Sequence, residues 1–422
     1  MRLRLVRWIA AATLLTASVA TPVSAEPAGN GVRDAVVDWN VIMVATVSGQ
    51  NPFAQARLAA ITQLAVFEAV NAITRDYEPY LDPIAAPSGA SAEAAAVAAA
   101  HAALRHYIPS AATTLDAQRA TSLASIPDGP SEDDGVAVGQ AAAAALIALR
   151  AADGSSPPQF FQPASSDAGV WQTTPICPPA GGILFHWQDV TPFGVRSNAQ
   201  FRSDPPPALS SPQYARAYNE VLKVGAIDSL DRPADRADVA RLYNSLLAVG
   251  VWNAVAQQLA EASSATLSAN ARAFALLNMA MSDALTTVME TKYHYDFWRP
   301  ETAIRAGDTD GNAATAADAG FVPFIPTPCF PGYGSAHASA AGAARAILDR
   351  VWGDGGHSLV LGHPALPSVV LQYTSLRQIT DDIDDARVFG GIHFRFDQDA
   401  GAKQGRQLSQ YVYAHNLVDA NQ

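Results

Sequence analysis

Phe274, Leu277, Met281, Leu285 and Val288 fall at i, i+3, i+7, i+11 and i+14. That spacing lays them along one face of an α-helix. The helix should end before Pro300, which lacks an amide donor and restricts the residue ahead of it. An apolar helical face has to be covered, and the rest of the chain supplies more helices to cover it. Val36 to Ile73 repeats the helical spacing, with a break near Gly49-Gln50-Asn51-Pro52. Ser91 to Tyr107 and Gly135 to Arg150 are dense in Ala, the best helix former, whose small side chain lets helices approach closely. Helical spacing returns from Pro212 to Val224, with Gly225 as a stop, from Arg232 to Ala260, from Ser335 to Val351 and from Asp381 to Leu417. No β alternation and no fixed-period repeat is visible. The expected fold is all-α, a large helical protein built on packed four-helix bundles.

The order of segments suggests four parts. Residues 1–25 read as a secretory signal: Arg2, Arg4 and Arg7 are followed by a short apolar run and by Val23-Ser24-Ala25 as a cleavage site. No membrane span is expected after its removal. Residues 26–155 form an N-terminal helical half and residues 208–422 a C-terminal catalytic bundle. Between them, 156–207 is an irregular connection rich in Pro, Gly and Ser, of the kind that is often functional. Export, to the periplasm or beyond, makes disulfides permissible. Cys177 and Cys329 both lie in Pro-rich loops and could pair, but sequence does not supply their distance.

Charge narrows the partners. The chain has 27 Lys+Arg against 39 Asp+Glu, a formal charge of -12, which disfavours a nucleic-acid partner. Lysine is scarce, with only Lys223, Lys292 and Lys403, so each position invites a reason. Asp308-Thr-Asp310-Gly-Asn312 looks like a calcium loop, but its Gly is misplaced and the twelfth position is Ala319, which favours a polar turn.

Three clusters carry chemistry. The first runs from Lys292 to Trp298-Arg299-Pro300, with the two cations seven residues, or two helical turns, apart. Alone it reads equally as a solvated helix end. The second runs from Pro328-Cys329-Phe330 to Gly334-Ser335-Ala336-His337, where a loop becomes a helix. Its free N–H groups attract anions, although Ser335 alone reads as a plain cap. The third runs from Arg387 to His393 and Asp397, and the last two, four apart on a helix, would let the carboxylate orient the imidazole. Together they supply one Lys, two Arg, a Ser, backbone amides and two His, a set suited to a tetrahedral oxyanion.

These motifs resemble those of the vanadium-dependent haloperoxidases, within the superfamily that includes the type 2 phosphatidic acid phosphatases. The pattern Lys-x6-Arg-Pro is complete at Lys292 to Pro300. Pro-Ser-Gly-His is matched except at Gly334 and Ala336. Ser-Arg-x5-His-x3-Asp is matched except at Ala386. The resemblance implies a vanadate cofactor, with phosphate able to occupy the same site, and hydrogen peroxide and halide as substrates; a small organic substrate is compatible with it. His393 would be the metal ligand. Lys292, Arg299, Arg387, Ser335 and the Ala336 amide would bind the oxygens, and His337 would be the acid/base. Phe330 sits where chloride-oxidising members resemble it, and Asp397, Phe330 and Trp298 would support the site. The departures matter physically: Gly334 replaces a stiff proline, Ala336 would be strained in a left-handed backbone, and Ala386 removes a hydrogen bond near Arg387. The alternative is a secreted acid phosphatase with a phosphohistidine intermediate. A third reading is a helical binding protein with a relic site.

Overall fold

A computed structural model describes residues 34–420. The secretory-signal reading of residues 1–25 lies outside them. The N-terminal helices are α1 (Ala35–Val47), α2 (Pro52–Thr74), α3 (Ala92–Tyr107), α4 (Ala112–Leu123) and α5 (Pro130–Leu149). After a long irregular stretch come α6 (Pro212–Val224), α7 (Ala234–Ser245), α8 (Ala248–Ala262), α9 (Leu267–Tyr295), α10 (Pro300–Arg305) and α11 (Ala336–Trp352). An antiparallel hairpin, β1 (Gly355–His363) and β2 (Leu366–Ser375), precedes α12 (Leu376–Phe389) and α13 (Arg395–His415).

Local chemistry sets the helix ends. Asn51 caps α2 by accepting the Phe53 and Ala54 amides at 3.1 and 3.0 Å, with Pro52 at the first helical position. Ser91 caps α3 in the same way. α9 closes at Asp296, which turns left-handed (φ 45°) and donates its N–H to the Lys292 carbonyl. α2 and α9 cross the interior and are buried along nearly their whole length. By length and composition α2 could cross a membrane, contrary to the expectation that no second stretch could. Its apolar surface is instead covered by α3, α5 and α9. α11 packs on α9 and α13, so the end of α9, the start of α11 and the start of α13 meet.

Three features differ from expectation. The hairpin was not foreseen, because Val360 and Val370 are exposed while Leu359, Leu361, Val369 and Tyr373 are buried. Apolar residues on both faces conceal a period of two. α4 buries only Leu115 and so has no stripe to read. The stretch 381–417 is two helices, not one. It breaks at Gly391, which has φ 78° and lies so near Gly225 that an added Cβ would sit 2.3 Å from the Gly225 carbonyl oxygen.

The irregular stretch is held by buried charge. Asp153 accepts from Arg57 of α2 at 2.6 Å and from Arg150 at 3.1 Å. Arg150 also donates to the carbonyls of Thr191 and Pro192. Asp283 of α9 accepts the amides of Phe193, Gly194 and Val195 at 2.6, 2.7 and 3.1 Å. Asp283→Ala would strand three amide donors, two of them buried, and is expected to cost about 3 kcal/mol, measured by urea unfolding. Cys177 and Cys329 form a disulfide with Cα atoms 5.4 Å apart, tying the stretch to the loop before α11.

Candidate active site

The three sequence clusters converge on one buried site. Lys292 lies in the last turn of α9 and is fully buried. Its Nζ donates to the carbonyls of Pro331 and Gly332 at 3.0 and 2.8 Å. Arg299 lies beyond the helix, at the N-cap of α10, so helical spacing is not what brings the two cations together. The turn at Asp296 does so. Arg299 donates through Nε to the Phe330 carbonyl at 2.9 Å and through Nη1 to the Ile392 carbonyl at 3.0 Å. The loop 330–332 is thus clamped from below by both cations. The Phe330 ring lies 5.4 Å from Lys292 Nζ and 5.0 Å from the Arg299 guanidinium carbon. Gly332 is needed there, because a Cβ would meet the Trp298 carbonyl oxygen at 2.8 Å. Trp298 itself is buried among the aromatics Phe297, Tyr333 and Phe396, supporting the loop from behind.

Ser335 is the N-cap of α11 and accepts the Ala338 amide at 3.3 Å. An accepting hydroxyl still has its own hydrogen to donate, so the cap role and an oxyanion-donor role are compatible. Ala336 and His337 follow, with first-turn amides that have no intrahelical acceptor. Ala336 is helical rather than left-handed, so its methyl group brings no strain. Ser335 also donates its own N–H to the Asp397 carbonyl at 2.8 Å, which joins α11 to α13.

His393 precedes α13 instead of lying on it; the loop after Gly391 carries it. Its contact with Asp397 forms nonetheless, with Nδ1 to Oδ2 at 2.9 Å. Asp397 also accepts the Phe394 amide at 3.1 Å. On the other side Nε2 faces Arg299 Nη1 at 2.9 Å. A guanidinium only donates, so Nε2 must accept and the ring proton must sit on Nδ1, shared with Asp397. This tautomer presents a lone pair on Nε2 toward the cations. Arg387, at the end of α12, reaches the same group and has a single long bond, from Nη1 to the Tyr243 carbonyl at 3.5 Å. With Ala386 beside it, no serine hydroxyl is present to share its Nε.

The electrostatics are those of an anion site. Lys292, Arg299 and Arg387 are buried together, and Asp397 is the carboxylate among them. Burial and then Arg299 hold Lys292 well below its ordinary value. Burial pushes Arg299 down to about 10, and burial with Arg299 pushes Arg387 down to about 9. Burial lifts Asp397 to about 7 against the pull of Lys292 and Arg299. His393 and half-buried His337 are both held well below the usual imidazole value, by burial and then by the three cations. Arg299 Nη2 and Arg387 Nε are buried donors without a partner. Unpaired buried donors and crowded positive charge are both relieved by an oxyanion. An oxyanion would raise the pKa of every group here, so its binding should take up protons. Affinity should then fall as pH rises through the depressed values. Titration calorimetry with orthovanadate in buffers of different ionisation enthalpy measures that uptake.

The remaining candidates stay outside. Lys223 and Lys403 make exposed ion pairs with Asp231 and Asp204. The Asp310 carboxylate is used within its own turn, by the Asn312 amide and the Thr315 hydroxyl. Sequence reasoning missed Tyr243, which holds Arg387 through a backbone carbonyl 144 residues away and so leaves no side-chain signal.

Residues 272–420 match the family described as the VCPO second helical-bundle domain. A bacterial vanadium-dependent iodoperoxidase is 26% identical, with a TM-score of 0.75 over 92% of this chain and 97% of that one. Holo and apo structures of a bacterial vanadium-dependent chloroperoxidase share the fold. Both are 16% identical, with TM-scores of 0.68 and 0.69. The holo form covers 88% of this chain and 94% of its own, and the apo form 92% and 95%. No curated protein matches the chain. The domain match spans all three motifs, and the likeness to these solved vanadium-dependent haloperoxidase structures extends over about nine-tenths of the length.

Proposed function

We propose that the protein holds vanadate at this site and oxidises halide with hydrogen peroxide to hypohalous acid. The observation that carries the proposal is the buried trio Lys292, Arg299 and Arg387, with unpartnered N–H groups on both arginines. The donor set fits vanadate: cations for its charge, amides and a hydroxyl for its oxygens, and one imidazole lone pair for the metal. Bound vanadate would supply a Lewis-acidic centre that polarises peroxide toward attack by halide. Lys292, Arg299 and Arg387 would hold its oxygens, joined by the Ser335 hydroxyl and the Ala336 amide. His393 would ligate through Nε2, while Asp397 keeps the proton on Nδ1. His337, neutral in the free site, would accept the proton that peroxide releases on binding.

Phe330 matches the residue type of chloride-oxidising members, whereas the relative of highest identity named above is an iodoperoxidase. Relative rates with chloride, bromide and iodide separate the two. The disulfide between Cys177 and Cys329 supports export through residues 1–25, because such bonds persist in oxidising compartments. A paired assay tests the whole reading. Vanadate-loaded protein should halogenate with peroxide, and vanadate-free protein should not turn over an aryl phosphate. Phosphate ester hydrolysis without any halogenation would overturn it in favour of a phosphatase.

A further inference from the structure

α13 opens with a cation where a helix disfavours one. Arg395 is its first residue, and the positive end of the helix dipole repels a guanidinium there. Two carboxylates from other helices offset that repulsion. Arg395 donates through Nη1 to Asp385 of α12 at 2.8 Å, and through Nη2 and Nε to Glu220 of α6 at 2.7 and 3.2 Å. Asp385 also faces Arg236 of α7 at 3.4 Å, whose shorter bond goes to Asp382 at 2.7 Å. Arg395, Asp385 and Glu220 are each about one-third exposed, so this clasp lies outside the buried anion site.

The clasp nonetheless closes around two groups of that site. Asp385 and Arg395 bracket Arg387 and His393 in the chain. Arg387 belongs to α12. His393 is tied to α13, because Asp397 holds its Nδ1 at 2.9 Å. Between the two helices the chain turns through Gly390 and left-handed Gly391, a junction with little stiffness of its own. α6 backs that junction twice, with its C-cap Gly225 against Gly391 and with Glu220 against Arg395. The Arg387 guanidinium has one long bond, to the Tyr243 carbonyl at 3.5 Å, so its place depends on where α12 stands.

We propose that Arg395 is a positioning residue for the oxyanion. By clasping Asp385 and Glu220 it joins α12 to α13, fixes how far Arg387 stands from His393, and so sets how closely the site fits the oxygens of its anion. It acts through these two residues and makes no contact with the anion itself. The inference rests on the oxyanion reading of the site and is independent of the halide chemistry.

Charge and position predict opposite signs for one variant. If Arg395 and Asp385 were felt only as distant charges, losing the cation would weaken anion binding and losing the carboxylate would strengthen it. If the clasp positions the site, both losses weaken it. Orthovanadate binding to the vanadate-free protein is read by calorimetry, with urea unfolding of each variant alongside. Arg395→Ala should bind about tenfold more weakly, the scale of losing an outer-shell partner. Asp385→Asn should also bind more weakly than wild type, and the double variant about as weakly as Arg395→Ala, since both changes break one clasp. Glu220→Gln leaves the Asp385 arm in place and should have a smaller effect in the same direction. Lys223→Ala breaks an exposed ion pair of α6 and should stay within about twofold of wild type. Tighter binding by Asp385→Asn, or unchanged binding by a folded Arg395→Ala, would overturn the proposal. The sign in Asp385→Asn decides the matter even where Arg395→Ala does not fold. Weakened binding in both variants, in a protein whose wild type oxidises no halide, would uphold the clasp and overturn the haloperoxidase reading instead.

Discussion

Replacing His393 by alanine is expected to lower halide oxidation by about three orders of magnitude, the scale of losing a group that acts only at the reacting centre. Orthovanadate affinity should fall about 100-fold, at least as much as the loss of an outer-shell partner costs. The reason lies in one lone pair. Arg299 Nη1 faces Nε2 at 2.9 Å and Asp397 faces Nδ1 at 2.9 Å, so the ring has a single protonation pattern available. Asp397→Asn should show a smaller form of the same effect, because an amide can present its NH2 to Nδ1 and stabilise the wrong tautomer. Steady-state iodide oxidation and vanadate calorimetry on the same preparations measure both. Unchanged affinity in His393→Ala would remove the ligand assignment.

Lys292→Ala is the second large effect. Lys292 sits between the carbonyls of Pro331 and Gly332 and under the Phe330 ring, and it is fully buried. An ammonium in a dry site acts on developing charge far more strongly than one in water. Loss of about 100-fold in kcat is expected, with a smaller change in KM for iodide. Lys292→Arg should not rescue it, since a planar fork has no room in a pocket shaped around a compact cation. The same substitution frees two carbonyls of the loop 330–332, so unfolding of the variant should be compared with wild type. Equal kcat in a folded Lys292→Ala protein would contradict a role for this charge.

How much of this was legible in the sequence depends on which interactions leave a local trace. The interior helices were readable because Phe274 to Val288 and the Ala-dense runs state their period directly. α4 was not, because a helix that buries only Leu115 carries almost no pattern. The hairpin was hidden by exposed Val360 and Val370. That the three clusters carry related chemistry was readable, but the way they meet was not. Lys292 and Arg299 meet through the left-handed turn at Asp296, and His393 meets Asp397 from a loop. Both turns depend on contacts distant in sequence, such as Gly391 against Gly225. The pairing of Cys177 with Cys329 spans 152 residues, and the carbonyl that holds Arg387 belongs to Tyr243. Contacts of that reach follow from the packed fold and have no sequence period.

The central claim is that one buried oxyanion site serves as the vanadate site of a haloperoxidase. Its most direct test is a titration of vanadate-free protein with orthovanadate, with binding by calorimetry and peroxide-dependent iodide oxidation measured on the same samples. Activity should be absent at the start, rise in proportion to occupancy and level off when each chain holds one vanadate. Activity that does not follow occupancy, or full occupancy without activity toward any halide, would contradict it.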